Sequence, residues 1–367
     1  MEGLPVSNSM TVQSSKYAYE VRFEEDFSIA LKDHVREGDI ITVDANVLKL
    51  YGRQLAPILA DTPYVVIEPS ETQKSYQGVE PFIRRLIESG FRKNNRLVAV
   101  GGGITQDVTA FTASILFRGV DWLFYPTTLL AQCDSCIGSK TSINFGKYKN
   151  QLGGFYPPVK IVIDLHFLET LSSLDFRSGM GEMLHYYLVS GEEDFDRMSR
   201  EYDAAFTDKA VLRELIYHSL DFKRGYVERD EFDQGPRNVF NYGHSFGHAI
   251  ETLTRYAVPH GIAVSIGMDM ANYLSVKLGL LAPEPRDRMH PLLRKNWGDT
   301  RLSGIALEDF INALKKDKKA VGAEIRVILT RGLGQMFKAP LPVNKETVDW
   351  MAEYFNAFEK SSEDMIT

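Results

Sequence analysis

The stretch Arg96-Leu-Val-Ala-Val-Gly101-Gly102-Gly103-Ile-Thr105 decides the fold. Leu97 to Val100 is an unbroken apolar run, and three glycines end it. An apolar run without alternation fits a strand covered on both faces, as in a parallel sheet. A helical run follows from about Thr105. A glycine-rich turn between strand and helix lets a diphosphate approach the N–H groups at a helix N-terminus. The turn lacks the spacing of the usual dinucleotide fingerprint, so a plain tight turn reads equally well at this point.

Outward from that stretch the same texture repeats. Asp39-Ile-Ile-Thr-Val43, Pro63-Tyr-Val-Val-Ile67, Trp122-Leu-Phe-Tyr125 and Lys160-Ile-Val-Ile-Asp164 read as strands, with amphipathic segments such as Val79–Lys93 between them. Strands alternating with helices predict an α/β domain with a parallel sheet, here over residues 17–172. Residues 1–16 are rich in Ser, Thr and Gln and are expected to be a flexible extension. Beyond Ser173 helical periodicity takes over, at Phe176–Tyr202, Asp208–Glu228, His244–Ala257, Ile262–Leu278, Leu307–Lys316 and Glu346–Phe358. Ile325-Arg-Val-Ile-Leu329 is the main strand-like exception. Residues 173–367 are therefore expected to be mainly α-helical.

Composition bounds the partners. The chain has 367 residues, 44% hydrophobic and 25% charged, enough apolar material for two domains. A net charge of −7 gives no general basic surface for nucleic acid. An anionic substrate needs a locally positive pocket instead. Cys133 and Cys136 are the two cysteines; their spacing allows a redox pair or half a zinc site, but buried small-residue packing suits their apolar surroundings better. So few cysteines, no apolar leader and no run near the roughly 20 residues of a membrane span predict a cytoplasmic protein without membrane contact.

Three kinds of residue carry chemistry. His244 and His248, in Asn241-Tyr-Gly-His244-Ser-Phe-Gly-His248, share a helix face, with Glu251 close behind and His260 following. Glu182 sits among small residues in Gly179-Met-Gly-Glu182-Met. A catalytic zinc site takes three protein ligands and keeps one position open, so Glu182 with two of the three histidines fits; satisfied core histidines fit too. Lys140, Lys149, Asn150, Lys223, Arg237 and the run Lys315-Lys316-Asp317-Lys318-Lys319 lie among glycines and small polar residues, as at a phosphate or carboxylate site. Asp44, ending the first strong strand, suits either a ribose hydroxyl or a helix cap.

Taken together these pieces resemble the sugar phosphate cyclases of the 3-dehydroquinate synthase type. The resemblance runs through Gly101-Gly-Gly-Ile-Thr-Gln-Asp107, Phe117-Arg118-Gly-Val, Pro126-Thr-Thr-Leu-Leu-Ala-Gln, Asp134-Ser, Gly138-Ser-Lys140-Thr, Lys149-Asn150 and Gly181-Glu182. It continues through Arg237-Asn-Val-Phe-Asn241-Tyr-Gly-His244-Ser-Phe-Gly-His248-Ala-Ile-Glu251 to His260-Gly. It implies a dehydroquinate synthase-like fold, NAD as cofactor and a divalent metal, zinc or cobalt, on Glu182, His244 and His260. Gly102, Gly103, Asp107, Thr127, Thr128 and Thr170 would face NAD, with Asp44, Asn46, Glu71 and Lys74 toward its adenosine half. Asp134 would meet substrate hydroxyls and His248 the substrate beside the metal. Lys140, Lys149, Asn150, Lys223, Arg237, Asn241 and Lys318 would grip phosphate, carboxylate or cofactor. Arg118 would reach across the interface of a homodimer. The implied reaction oxidises a secondary alcohol of a phosphorylated sugar acid, eliminates phosphate, returns the hydride and closes the ring by an aldol step.

Two residues depart from the pattern. His185 stands where a substrate-site lysine is usual, and Gln106 where glycine precedes the nicotinamide-facing aspartate. They open the alternative of another sugar phosphate, such as sedoheptulose 7-phosphate or glucose 6-phosphate. A metal-dependent alcohol or glycerol dehydrogenase would share the two-domain plan but would not need Lys140, Asn150 and Lys223 together. A non-catalytic descendant would be expected to have lost the metal trio.

Overall fold

The protein is described from a computed structural model over residues 7–146, 148–316 and 324–363. It divides into two compact units, Met1–Ser172 with Ile216–Asp233, and Ser173–Leu215 with Gln234–Thr367. The chain thus changes unit near Ser173 and again around the segment 216–233, which joins the first unit.

The first unit holds strands β1 (Ser9–Val12), β2 (Tyr19–Phe23), β3 (Ile40–Asp44), β4 (Tyr64–Ile67), β5 (Leu97–Gly101), β6 (Trp122–Pro126), β7 (Lys140–Phe145), β8 (Tyr148–Phe155) and β9 (Lys160–Ile163). Its helices are α1 (Phe27–His34), α2 (Ala45–Leu59), α3 (Tyr76–Glu88) and α4 (Gly103–Ile115). Seven strands form one sheet in the order β1-β2-β9-β6-β5-β3-β4, parallel except for β1 against β2. Every residue of β3, β5 and β6 is buried, as their largely apolar runs require, with Thr42 and Asp44 of β3 the buried polar exceptions. Phe27, Tyr51, Leu55, Val98, Val100 and Tyr125 lie in the core on one side of this sheet.

Two sequence expectations change here. Residues 1–16 are not wholly a loose extension: Met10 and Val12 are buried on β1, which pairs with β2 from Ser9↔Arg22 to Val12↔Tyr19. The polar residues that suggested looseness are its exposed half. The antiparallel hairpin β7–β8 carries no strong strand pattern, because all eight β8 residues are exposed or half-buried and four of the six β7 residues are polar.

The second unit is built of α5 (Ser173–Ser190), α6 (Glu192–Glu201), α8 (His244–Leu253), α9 (His260–Lys277), α10 (Pro283–Trp297), α11 (Leu307–Lys316) and α12 (Lys345–Glu363), with the ribbon β10 (Glu324–Thr330) and β11 (Met336–Pro342). Helix α7 (Lys209–Val227) spans the change of unit at residue 216. The helix expected over 176–202 is two helices, broken at Gly191, whose φ of 133° an L side chain resists. Helix α10 has three prolines in it, at 283, 285 and 291, which masks it in the sequence. Helix α9 is buried without a break from Gly261 to Asn272, so it forms the unit's central rod.

Candidate metal and cofactor sites

In the second unit, glycines set the candidate metal-ligating side chains close together. A Cβ on Gly181 would stand 2.0 Å from the Gly261 carbonyl oxygen, and one on Gly261 would stand 1.8 Å from the Ser178 carbonyl oxygen. Helix α5 and the start of α9 therefore touch backbone to backbone, beside Glu182 and His260. Gly243, with φ of 78°, caps α8 immediately before His244, and a Cβ there would meet Val264 and Met268 of α9 at 2.6 Å. Three helix segments converge in this way, each delivering one ligand.

Glu182 Oε1 lies 3.1 Å from His260 Nε2 and 3.7 Å from His244 Nε2, and all three donor atoms fall within 4.8 Å of one another. Donors about 2.0–2.2 Å from a tetrahedral zinc stand roughly 3–4 Å apart, so the trio fits such an ion. The tautomers agree. His244 Nδ1 lies 3.1 Å from the Tyr242 carbonyl, which can only accept, so Nδ1 carries the hydrogen and Nε2 keeps its lone pair. His260 Nδ1 lies 2.9 Å from Glu251 Oε2, which also accepts, so Nε2 is the nitrogen that faces Glu182. Burial holds His244 well below the ordinary histidine pKa, and the histidines around it add to the effect. Burial also opposes a charge on His260, but Glu251 and Glu182 outweigh it and raise its pKa well above the usual value.

His248 is exposed, its ring 5.6 Å from both the His244 and His260 rings. With Glu251 and His260 it forms a second possible ligand group, sharing His260 with the first. Because Glu251 already engages His260 Nδ1, the trio with Glu182 leaves the cleaner set of lone pairs. His185 is 1% exposed and packs edge-on against His244 at 5.5 Å and Phe240 at 5.6 Å. Arg237, 4% exposed, and Asn241 stand on one short 3₁₀ turn, Pro236–Asn241, which also carries Phe240. The structure so brings Glu182, His185, His244, His248 and His260 together. The sequence reading gives Glu251 no role of its own, although its place seven residues after His244 sets it on the same helix face.

The first unit carries the groups expected at the cofactor. Helix α4 starts on Gly102 with no side-chain cap, and a Cβ on Gly103 would meet nothing within 4 Å. The helix start is thus open above Gly103, which suits a diphosphate. A Cβ on Gly102 would stand 2.9 Å from the Thr128 methyl, so glycine is needed there for Thr128 to approach. Asp107 pairs with Lys74 at 2.6 Å; burial pushes its pKa up, against the pull of Lys74. Lys149 pairs with Glu71 at 3.0 Å, and Asn144 donates to Glu71 at 2.7 Å. Thr127 donates through its backbone to the Gly101 carbonyl at 3.0 Å, and Thr170 meets the Tyr51 hydroxyl at 2.9 Å. Asp44 is a helix cap, accepting from Asn46 N at 2.8 Å, and its other oxygen takes the Thr105 hydroxyl at 3.4 Å.

The cations of this unit have acidic neighbours. Lys223 Nζ lies 2.8 Å from Asp134 Oδ1, and Lys140 Nζ lies 2.6 Å from Asp233 Oδ2. Asn150, with φ of 53°, accepts from the Ser142 hydroxyl at 3.1 Å. Arg118 is exposed with φ of 63°, beside Phe117 at 49°. Lys318 lies outside the described residues. Cys133 and Cys136 are buried free thiols, and burial pushes the Cys136 thiol up to about 12.

Residues 64–178 match the 3-dehydroquinate synthase N-terminal family, and residues 179–320 match 3-dehydroquinate synthase C-terminal. The chain belongs to the 3-dehydroquinate synthase family. It is 35% identical over 312 residues to the 3-dehydroquinate synthase of Alkaliphilus metalliredigens (strain QYMF), covering 83% of this chain and 88% of that one. Among solved structures it resembles 2-epi-5-epi-valiolone synthase from Streptomyces hygroscopicus subsp. jinggangensis 5008 with NAD+ and Zn2+ bound, at a TM-score of 0.82 and 26% identity over 95% of this chain and 99% of that one. It also shares its fold with a 2-deoxy-scyllo-inosose synthase complexed with carbaglucose-6-phosphate, NAD+ and Co2+, at a TM-score of 0.82 and 21% identity over 94% of this chain and 98% of that one.

Proposed function

We propose that the protein is a 3-dehydroquinate synthase, converting 3-deoxy-arabino-heptulosonate 7-phosphate to 3-dehydroquinate and phosphate. The observation that carries this reading is the compact trio Glu182, His244 and His260 in a chain of this family. When bound, a divalent metal supplies polarisation of vicinal hydroxyls, and NAD supplies reversible hydride transfer.

The chain's own residues do the rest. Gly102, Gly103 and the start of α4 receive the diphosphate; Asp107, Thr127, Thr128 and Thr170 border the nicotinamide half, and Asp44, Asn46, Glu71 and Lys74 the adenosine half. Lys140, Asn150 and Lys223 bind and stabilise the departing phosphate, and Lys149 serves the cofactor. Its charge would draw Lys140 away from Asp233. Arg237 offers a planar fork to the substrate carboxylate, which a lysine does not copy, and Asn241 adds a donor. Asp134 and His248 meet substrate hydroxyls.

In the same reading the enzyme works in the cytoplasm as a homodimer to which Arg118 contributes. No helix among the described residues is long and apolar enough to cross a membrane.

The test is phosphate release by the zinc-loaded enzyme from 3-deoxy-arabino-heptulosonate 7-phosphate, with NAD+ far below substrate. Many turnovers without net NADH are expected. One NADH per phosphate would favour a dehydrogenase. His185, an imidazole instead of an ammonium beside the metal set, favours sedoheptulose 7-phosphate as the second substrate to try; turnover of that sugar alone would overturn the carboxylate assignment.

A further inference from the structure

Asp134 stands in a π-helical turn, Ala131–Ser135. Such turns are rare, and the carbonyls at a helix end need partners from elsewhere. Two side chains supply them here. Lys223 Nζ donates to the Asp134 carbonyl at 2.6 Å, and Gln106 Nε2 donates to the Ser135 carbonyl at 2.6 Å. Gln106 is held at its other end too, because the Ser135 hydroxyl donates to Gln106 Oε1 at 2.6 Å. A buried amide that bonds one residue through both its ends has a fixed orientation, and it fixes that residue in turn. Gln106 is 5% exposed and lies in the first turns of α4, next to Asp107.

The clamp therefore acts on the residue directly after Asp134. Lys223 holds the Asp134 carbonyl and carboxylate from one side, and Gln106 holds the next peptide group from another. With one of them removed, the turn can relax toward ordinary α-helical pairing, which would rotate the side chain at 134 relative to α4.

We infer that Gln106 is a positioning residue for Asp134: clamped on Ser135, it keeps the π-helical turn in the form that presents the Asp134 carboxylate to substrate hydroxyls. The inference rests on the reading of Asp134 given above.

Gln106→Leu removes both bonds at similar volume. Gln106→Glu keeps the acceptor for the Ser135 hydroxyl but sets an oxygen against the Ser135 carbonyl. In the full-length enzyme with zinc and NAD+, both variants should lose about tenfold or more in kcat/KM for 3-deoxy-arabino-heptulosonate 7-phosphate, while the Kd for NAD+ stays within about twofold. The double variant Gln106→Leu with Asp134→Asn should be no worse than about twofold below Asp134→Asn alone, since Gln106 acts through that carboxylate. A merely structural lesion would multiply with it. If Gln106→Leu does not fold by circular dichroism, Gln106→Glu carries the same comparison. Unchanged kcat/KM, a multiplicative loss in the double variant, or a loss carried by NAD+ affinity overturns the inference while leaving the functional reading intact. A wild-type enzyme inactive on this substrate overturns the functional reading, and the inference falls with it.

Discussion

Glu251 shows how a residue can matter without touching the chemistry. Its carboxylate holds His260 Nδ1 at 2.9 Å, which sets the tautomer and aims Nε2 toward Glu182. Replacing it by Gln removes the charge and allows the ring to turn. Glu251→Gln is expected to weaken zinc binding about 10- to 100-fold, the range found for partners of metal-bound histidines, read by competition with a chromophoric chelator. Zinc affinity equal to wild type would show that His260 is oriented by other groups. At this scale the sequence was partly legible. The small-residue setting of Glu182 and the three histidines at 244, 248 and 260 left a metal set and satisfied core histidines both open, and only the family resemblance chose between them. The pairing of Lys223 with Asp134 was not legible, since 89 residues separate them and only the fold brings them into contact.

At the scale of elements, the glycine pair at the α5–α9 contact is the structural condition for the proposed metal set. A methyl at 181 would stand 2.0 Å from a carbonyl oxygen, and backbone cannot give way as a side-chain tip can. Gly181→Ala should cost about 1–3 kcal/mol in urea unfolding and lower zinc content together, because the strain separates Glu182 from His260. Stability lost with zinc retained would separate the two effects. A second element depends on a carboxylate. Glu231 accepts from the Ser14 hydroxyl at 2.6 Å, the Ser15 N–H at 2.7 Å and the Ser139 hydroxyl at 2.8 Å, tying the chain after β1 to the turn before β7. Burial opposes its charge, but these three donors outweigh burial and hold its pKa below the usual 4.5. A depressed carboxylate pKa contributes stability that is complete above its unfolded value and fades as pH falls through the folded one. The stability gap between wild type and Glu231→Gln should therefore be constant near neutrality and close progressively below about pH 4.5, followed by urea midpoints across that range. A gap that stays open in acid would show that the carboxylate's charge is not what holds β1.

For the molecule as a whole, the apolar runs of β3, β5, β6 and β9 made the parallel sheet readable, since a strand buried on both faces has no other pattern to show. The transfer of residues 216–233 to the first unit was not readable, because α7 keeps one helical period across residue 216 while its packing partners change. The surface carries a further message that composition averages away. Tyr76, Val79, Ile83, Ile87, Phe111 and Ile115 of α3 and α4 line a groove of about 460 Å³, with Glu80, Arg84 and Glu88 among the residues around it. Tyr76 is 55% exposed, Ile87 53% and Ile115 49%, and Phe117 and Arg118 follow directly after α4 with left-handed backbone. Soluble monomers rarely leave contiguous apolar surface of this kind uncovered, and a second copy presenting the same face would bury it self-complementarily. The wild-type protein should sediment as a dimer at micromolar concentration. Ile87→Glu combined with Ile115→Glu places two carboxylates from each copy in the same apolar contact, where they lose water without gaining a partner. That variant should shift to the monomer while keeping its thermal midpoint, because both side chains are half exposed in the single chain. A wild-type monomer would rule out the homodimer outright, and a variant that remains dimeric would move the interface to another face of the first unit or to the second.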